Sequence, residues 1–244
     1  MIGWGLAHKR ERALRKAGSD TALGRHLATP PPDPDTPTSS APLLAVDLET
    51  TGLDPRRDQI LSVGFVPVDG DVIDLSGARE IVVHADGEVG QSAVVHGLTD
   101  DIVAAGRPLP EVLDEVLAAL TGRALLAHYA TIEQDFLDVA CRRIYGGALP
   151  LRVVDTMDLQ RRLTANPYDN PRGGTLRLGA SREAHGLPVF HAHAALTDAL
   201  ACAELYLAQR AVFSERGTQS LGALSRLPGV TAARSVMLPT GLAY

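Results

Sequence analysis

Cysteine is scarce in this sequence of 244 residues, which contains only Cys141 and Cys202. Both fall within apolar segments that have helical spacing, so we interpret them as reduced core residues. This count excludes a disulfide framework and a zinc site built on cysteine. His185 and His191 do not suggest a different zinc site, because no second histidine pair accompanies them.

Long apolar runs are also absent from the sequence. No stretch approaches the roughly 20 apolar residues that a helix needs to span a bilayer. The N-terminal segment MIGWGLAHKRERALRKAG has neither the long apolar core nor the small-residue cleavage site of a signal peptide. We therefore expect a cytoplasmic protein that has no membrane partner.

Aromatic residues are few, at 4% of the chain, and the formal net charge is −6. This charge argues against a protein that holds a long duplex through its phosphates, because such proteins are usually basic. It does not exclude an enzyme that handles a few nucleotides at one end. A site that collects divalent cations contributes several negative charges of its own.

The composition changes along the chain and divides it into three parts. Residues 1–29 hold six basic and two acidic side chains, a local charge of 6 − 2 = +4, and six prolines follow between positions 30 and 42. We predict a basic N-terminal arm and Pro-rich linker over 1–41, a main domain over 42–212 and a C-terminal tail over 213–244. We interpret the arm as a solvated surface helix, with a nucleic-acid or partner contact as the alternative.

The main domain shows alternating strand and helix patterns. Strands are predicted at Leu43–Glu49, Gln59–Val68, Glu80–His84, Ala124–His128 and Arg152–Asp155. Helices are predicted at Leu109–Leu120, Thr131–Tyr145, Thr156–Leu163, Thr175–His185 and Ala194–Arg210. Three antiparallel strands followed by strand–helix alternation indicate an α/β fold in which helices cover a mixed sheet.

Two acidic residues lie on the first predicted strand, in the run LLAVDLETTGLD. Side chains two residues apart in a strand share a face, so Asp47 and Glu49 point the same way. Two carboxylates on one face of an apolar strand repel each other unless a cation lies between them. The alternative is an edge strand whose polar face is solvated, but the following Thr50-Thr51-Gly52 turn suits an approaching phosphate.

Two further segments carry candidate functional groups. His193 precedes Asp198 by five residues at the start of an apolar helix, where an imidazole could deprotonate water and a carboxylate could hold a metal. His128 ends a strand, and Glu133 and Asp135 begin the next helix about 200° apart. Glu133 is closer to the inward face of that helix, and Asp135 is closer to the outside.

Together these segments resemble the DEDDh superfamily of 3′→5′ exonucleases, in particular the proofreading type similar to the ε subunit of DNA polymerase III. The resemblance covers about residues 42–210. The family's first and third motifs are matched by Asp47, Glu49, Thr50, Thr51 and Gly52, and by His193 and Asp198. The family's His-Gly-Ile-Thr-like loop is matched by HGLTDD from His96, and its Asp-Thr strand–helix junction by Asp155-Thr156.

The second motif departs from the family pattern, which is His-Asn-Ala-x-Phe-Asp. Aligning His128-Tyr129-Ala130 with it places Glu133, not Asp135, at the ligand position, and Tyr129 replaces the usual Asn. Glutamate is one methylene longer than aspartate but can still bind Mg²⁺ or Mn²⁺. We therefore expect a variant metal site that differs in metal preference or rate.

The resemblance implies a ribonuclease H-like mixed sheet in one catalytic domain, and a two-metal mechanism. Two Mg²⁺ or Mn²⁺ ions are expected on Asp47, Glu49, Glu133 and Asp198, with His193 as the general base. Family members also suggest that the 3′ end is seated by Thr50, Thr51, Leu53 and His96. The expected substrate is the 3′ end of DNA, with release of nucleoside 5′-monophosphates.

Two alternatives remain open from the sequence. One is an exoribonuclease that acts on short RNA or dinucleotides, which fits the negative charge and the few aromatic residues. The other is a non-catalytic nucleic-acid-binding or polymerase-associated module, in which Glu133 marks decay of the site. Any polymerase or replication partner is expected to act in trans, because the sequence shows no polymerase domain.

Overall fold

The computed structural model describes residues 2–85, 99–165, 174–190 and 194–225. The strands are β1 (Pro42–Thr50), β2 (Ile60–Asp69), β3 (Val72–Ile73), β4 (Arg79–Val82), β5 (Ala124–Ala127) and β6 (Val153–Asp155). The helices are α1 (Ile2–Ala17), α2 (Ala22–Ala28), α3 (Asp100–Ala104), α4 (Leu109–Leu120), α5 (Thr131–Tyr145), α6 (Thr156–Thr164), α7 (Leu178–Ala184), α8 (Ala195–Glu215) and α9 (Leu221–Leu224). In the described part of the chain, no helix combines the length and apolar character needed to cross a membrane.

The six strands form one mixed sheet in the order β3-β2-β1-β5-β6, and β4 pairs with β2. β1 and β2 are antiparallel, whereas β1, β5 and β6 are parallel. This arrangement confirms the predicted α/β fold with helices on a mixed sheet. The carboxyl ends of the three parallel strands lie at one edge, where residues that follow each strand come together.

Side-chain alternation along β1 separates two hydrophobic layers. Leu44, Val46 and Leu48 face one side, where they join a cluster that includes residues of α4 and α5. Leu43 and Ala45 face the other side, with buried residues of α8 and α9. Asp47 and Glu49 continue the second row, so the acidic pair points toward the layer that contains α8.

Both predicted cysteine environments are confirmed, because Cys141 and Cys202 are buried free thiols in these two layers. Burial raises the pKa of each thiol.

The N-terminal arm is a surface helix pair that packs its inner face against the main domain. Ala13, Ala17, Leu23 and Leu27 are buried in the same layer as α4 and α5. The outer face of α1 is exposed, as expected for a basic helix. The small and apolar residues of the arm recur at positions that face inward, which is the pattern of an amphipathic helix.

The linker and the segment after residue 212 also contact each other. The Leu221 N–H donates to the Thr36 carbonyl at 2.9 Å, and the Gly222 N–H donates to the Pro34 carbonyl at 2.7 Å. Phe213, Leu221 and Leu224 are buried in the α8 layer. Residues up to 225 are therefore packed, whereas 226–244 lie outside the described residues.

A buried guanidinium holds the arm in place. Arg10 donates to the carbonyls of His26 and Thr29, both at 2.7 Å, and to that of Pro150 at 3.2 Å. It also lies 3.2 Å from the His26 imidazole. Burial lowers the pKa of Arg10 to about 10. Burial and the Arg10 charge lower the pKa of His26 to about 4, so this imidazole is neutral at pH 7.

We expect Arg10→Met to destabilise the protein by about 3 kcal/mol, because it leaves buried carbonyl groups without a donor. Arg12→Met on the exposed face of the same helix is the matched control and should change stability by less than about 0.5 kcal/mol. Urea unfolding of both variants measures the difference. Equal stabilities would show that the arm is not anchored through Arg10.

Candidate active site

An acidic cluster lies at the carboxyl edge of the sheet, beside the first turn of α8. Carboxylate oxygens of Asp47, Glu49 and Asp198 all lie within 4.8 Å of one another. Glu49 is 7% exposed, and the other two are partly buried. Asp47 and Glu49 come from β1, and Asp198 comes from α8, so the fold joins residues about 150 positions apart in the sequence.

Glu133 lies beside this cluster, at the first turn of α5. It is 4% exposed, whereas Asp135 is exposed. Burial raises the pKa of Asp47 well above its ordinary value, and the negative charges of Glu133, Asp198 and Glu49 raise it further, that of Glu133 most. The helical phase that favoured Glu133 over Asp135 therefore agrees with the orientation of α5.

The donor set fits a divalent cation. Carboxylate oxygens are the preferred ligands of Mg²⁺, and Mn²⁺ takes similar donors. Four acids in one partly buried place repel each other, and a cation between them removes that cost. The burial of Asp47 and its three negative neighbours both disfavour its charged form. The cluster thus has the chemistry of a metal site.

A close backbone approach brings Asp198 to β1. Gly64 on β2 pairs with Asp47 on β1, and the first turn of α8 packs directly on Gly64. A Cβ atom at Gly64 would lie 2.0 Å from the backbone carbon of Ala195 and 2.1 Å from the Leu196 nitrogen. Only glycine leaves room there, so Gly64 positions Asp198. The sequence signal was a lone glycine inside a strand pattern, which often marks such an approach.

Asp155 positions the start of α5. Its carboxylate accepts hydrogen bonds from the N–H groups of Tyr129 (3.0 Å) and Ala130 (3.2 Å). It also caps α6 by accepting from the Met157 N–H at 3.0 Å. An Asp at a strand–helix junction is a known N-cap signal. Its second role, holding the loop that leads to Glu133, comes from pairing between β5 and β6.

The same loop contains an uncommon backbone conformation. Tyr129 has φ 65°, the one positive φ of a non-glycine residue among the described residues. This region is costly for a bulky side chain and is entered more readily by Asn. The family's usual Asn at this position would suit it. In this chain the bonds to Asp155 hold Tyr129 in place, next to an active-site helix.

His128 follows β5 at the same edge of the sheet and holds neighbouring segments together. Its imidazole lies 2.8 Å from the Thr156 hydroxyl and 2.8 Å from the Leu176 carbonyl. Because the carbonyl can only accept, Nε2 carries the proton and donates to Leu176. Burial lowers the pKa of His128, although the negative charge of Asp155 opposes this shift. A neutral His128 therefore ties residues near the start of α7 to the end of β5.

The turn after β1 is stabilised by hydrogen bonds from and to its own threonine hydroxyl groups. The Thr50 hydroxyl donates to the Gly52 carbonyl at 2.7 Å. The Thr51 hydroxyl accepts from the Gln59 N–H at 2.9 Å. Leu53 at the tip is 58% exposed. His96 and His193, the remaining predicted site residues, lie outside the described residues.

Comparison with known families identifies the chain. A family model described as exonuclease, of the RNase T type, matches residues 44–206, which include the whole acidic cluster. The chain belongs to this exonuclease family. The match confirms the DEDDh-type resemblance and the enzyme class expected from the three motifs.

The curated relatives include a DNA polymerase and an exonuclease, both from bacteria. The chain is 27% identical over 195 residues to a "DNA polymerase III PolC-type" protein of Thermotoga petrophila, covering 79% of this chain and 14% of that protein. It is 28% identical over 165 residues to "3′-5′ exonuclease DinG" of Staphylococcus haemolyticus, covering 66% and 17%. The chain thus spans about a seventh of the length of the PolC-type relative.

Solved structures support the fold of this exonuclease. E. coli Exonuclease I with a dT13 oligonucleotide aligns with a TM-score of 0.58 at 16% identity, over 73% of this chain and 44% of that one. The nuclease domain of 3′hExo, a DEDDh member bound to rAMP, also gives 0.58 at 16%, over 72% and 93%. Exonuclease X bound to 5′-overhanging duplex DNA gives 0.53 at 23%, over 75% and 97%.

We expect Gly64→Ala to displace the first turn of α8 and to separate Asp198 from Asp47. Nuclease activity should fall by about 100-fold, with a loss of about 1–3 kcal/mol in stability. Gly179→Ala on α7 is the matched control, since a Cβ there meets open space. Parallel activity and urea measurements compare the two. Full activity of Gly64→Ala would contradict the positioning role.

We expect Asp47→Asn to stabilise the metal-free protein, because it removes one of four crowded negative charges. The pKa of Asp47 is higher in the folded protein than in the unfolded chain, so the folded state loses stability as the pH rises above the pKa of the unfolded chain. This loss of stability disappears at acid pH. Thermal unfolding in chelator should give a higher Tm for Asp47→Asn than for wild type at pH 8, with a smaller difference at pH 5.

Added Mg²⁺ or Mn²⁺ should reverse this order at pH 8, because only wild type keeps the full set of ligands. Glu80→Gln, an exposed acid on β4, serves as the control for loss of one negative charge. A wild-type Tm that does not respond to either cation would contradict the metal site.

Proposed function

We propose that this chain is a 3′→5′ exonuclease that hydrolyses the terminal phosphodiester of DNA and releases nucleoside 5′-monophosphates. The observation that carries the proposal is the group of carboxylate oxygens from Asp47, Glu49 and Asp198 within 4.8 Å of one another. The family match makes hydrolysis from a strand end the relevant chemistry.

The proposed ligands of two Mg²⁺ or Mn²⁺ ions are Asp47, Glu49, Glu133 and Asp198. When bound, such ions lower the pKa of water and neutralise charge on the phosphate. The chain supplies rigid placement of these groups. Asp47 and Glu49 are fixed by the β1 ladder, Asp198 by the packing of α8 on Gly64, and Glu133 by the Asp155 contacts at the start of α5.

His193 is the proposed general base. A neutral imidazole accepts a proton from the attacking water as the water oxygen forms its bond to phosphorus. The bond from phosphorus to the leaving 3′ oxygen then breaks, and the product carries a 5′-phosphate. His193 is five residues before Asp198 and two before the start of α8, which supports its placement near the cluster.

The substrate roles proposed for the turn after β1 rest on exposure and position. Leu53 is exposed at the tip of the turn and is suited to contact the last base. Thr50 and Thr51 are next to the acidic strand and have hydroxyl groups that shape this turn. His96 is proposed to seat the 3′ end on the basis of the family resemblance.

DNA is the substrate that we propose, because several relatives are DNA enzymes by name. PolC-type DNA polymerase III, and Exonuclease I with a dT13 oligonucleotide, are among them. The 3′hExo domain bound to rAMP keeps short RNA as the second candidate. A polymerase, on the same chain or in trans, is the partner that the PolC-type relatives suggest.

The decisive assay follows digestion of 5′-labelled single-stranded DNA and RNA in Mg²⁺, in Mn²⁺ and in chelator. We expect shortening from the 3′ end in either metal and none in chelator, with 5′-mononucleotides as products. The double variant Asp47→Ala with Glu49→Ala should lose at least about 1,000-fold in rate.

The matched control removes two exposed acids, Glu80→Ala with Glu215→Ala, and should retain activity. Faster digestion of RNA than of DNA would favour the exoribonuclease alternative. Binding without cleavage would favour the non-catalytic module. Retained activity in Asp47→Ala with Glu49→Ala would overturn the assigned site.

A further inference from the structure

A cleft lies between α1 and α5, the helix that carries Glu133. Its volume is about 440 Å³. The charged side chains that line it are Lys9, Arg12, Lys16, Asp135, Asp138 and Arg142. Their sum is 4 − 2 = +2, in a chain whose formal net charge is −6. This cleft is therefore a local positive site on an acidic protein.

The cations of α1 form one row. Lys9, Arg12 and Lys16 are spaced by three and four residues, so they share a helix face, and all three are exposed. Across the cleft, Asp138 is bonded to Arg142 at 2.6 Å and accepts from the Leu149 N–H at 2.7 Å. Arg142 of the same helix therefore balances the charge of Asp138.

Lysine is concentrated in this cleft. The chain has 23 basic residues but only two lysines, Lys9 and Lys16, and both line it. Lysine is a compact point charge that contacts phosphate oxygens without the fixed geometry of arginine. A row of such charges suits a polyanion that is held by its phosphates and not by its bases.

The walls of the cleft are fixed before any ligand arrives. The buried Arg10 joins α1 to the carbonyls of Thr29 and Pro150, and Pro150 is itself a lining residue. Ala13 and Ala17 pack the inner face of α1 into the core. A ligand therefore pays little ordering entropy in this cleft beyond that of the exposed side chains.

One wall of the cleft is α5, the helix that carries Glu133 of the candidate site. Gln134 lines it and directly follows Glu133, and the lining residues of α5 extend to Arg142. Eight residues of helix span about 12 Å, which is a few phosphate spacings. The α1 row precedes the part of the chain that matches the exonuclease family model, which begins at residue 44.

We propose that this cleft binds the sugar–phosphate backbone of single-stranded nucleic acid upstream of the 3′ nucleotide. The inference rests on the proposed function, in which the 3′ end lies at the acidic cluster. Contacts to phosphates carry no base information, so binding here is independent of sequence and weakens with salt. The cleft thereby makes a strand of several nucleotides a better substrate than a dinucleotide.

The kinetic test compares a single strand of about 20 nucleotides with a dinucleotide. In Lys9→Gln/Arg12→Gln/Lys16→Gln, we expect the KM for the long strand to rise on the order of tenfold. The slope of log KM against log salt concentration should fall by about 2. Dinucleotide hydrolysis should stay unchanged. Arg15→Gln/Arg79→Gln/Arg216→Gln removes three exposed cations outside the cleft and should keep the wild-type KM for both substrates.

A second readout does not need catalysis. Acetylation of amines, followed by mass spectrometry, reports on Lys9 and Lys16 alone among the side chains. In the Asp47→Ala/Glu49→Ala variant of the 244-residue chain, the long strand should slow acetylation of both lysines several-fold, and the dinucleotide should not. The α-amino group provides an internal reference for reagent activity.

The outcomes separate this inference from the proposed function. Wild type that hydrolyses neither substrate, while the strand still protects both lysines, defeats the function and leaves the cleft as a nucleic-acid site. Hydrolysis of both substrates with an unchanged KM in the cleft variant, and with unprotected lysines, overturns the inference. That last result would point to an acidic protein as the ligand of this surface.

Discussion

The close packing of α8 on the backbone of Gly64 is the constraint on which the site depends. It brings the first turn of that helix against the strand pair that carries Asp47, so Asp198 joins Asp47 and Glu49. The same approach forces like charges together at a partly buried edge. Backbone packing therefore overcomes a repulsion that isolated side chains would avoid, and the stored repulsion becomes affinity for a cation.

Much of the site follows from short-range patterns in the sequence. Alternation along β1 places Asp47 and Glu49 on one face, and helical phase turns Glu133 inward and Asp135 outward. These inferences depend on neighbours within a few residues, where backbone periodicity is decisive. Helix Thr131–Tyr145 and helix Leu109–Leu120 were likewise predicted with their observed bounds, because each is amphipathic over three or more turns.

The features that escaped prediction depend on contacts between distant segments. The roles of Gly64 and Asp155 require knowing which helix or loop lies opposite each residue. The anchoring of the arm was missed as well, because Arg10 finds its acceptors at Thr29 and, 140 residues away, at Pro150. Local patterns do not contain that information. Tyr129 is a further case, since its positive φ is maintained by the amide contacts to Asp155.

The anchoring of the N-terminal arm has a consequence for biosynthesis. A chain emerges from the ribosome with its N-terminus first, yet the Arg10 pocket includes Pro150, and the linker pairs with Leu221 and Gly222. Arg10 can therefore complete its hydrogen bonds only after Pro150 has been synthesised. The cationic row of α1 is therefore synthesised before this anchor, and before Asp198 of the acidic cluster.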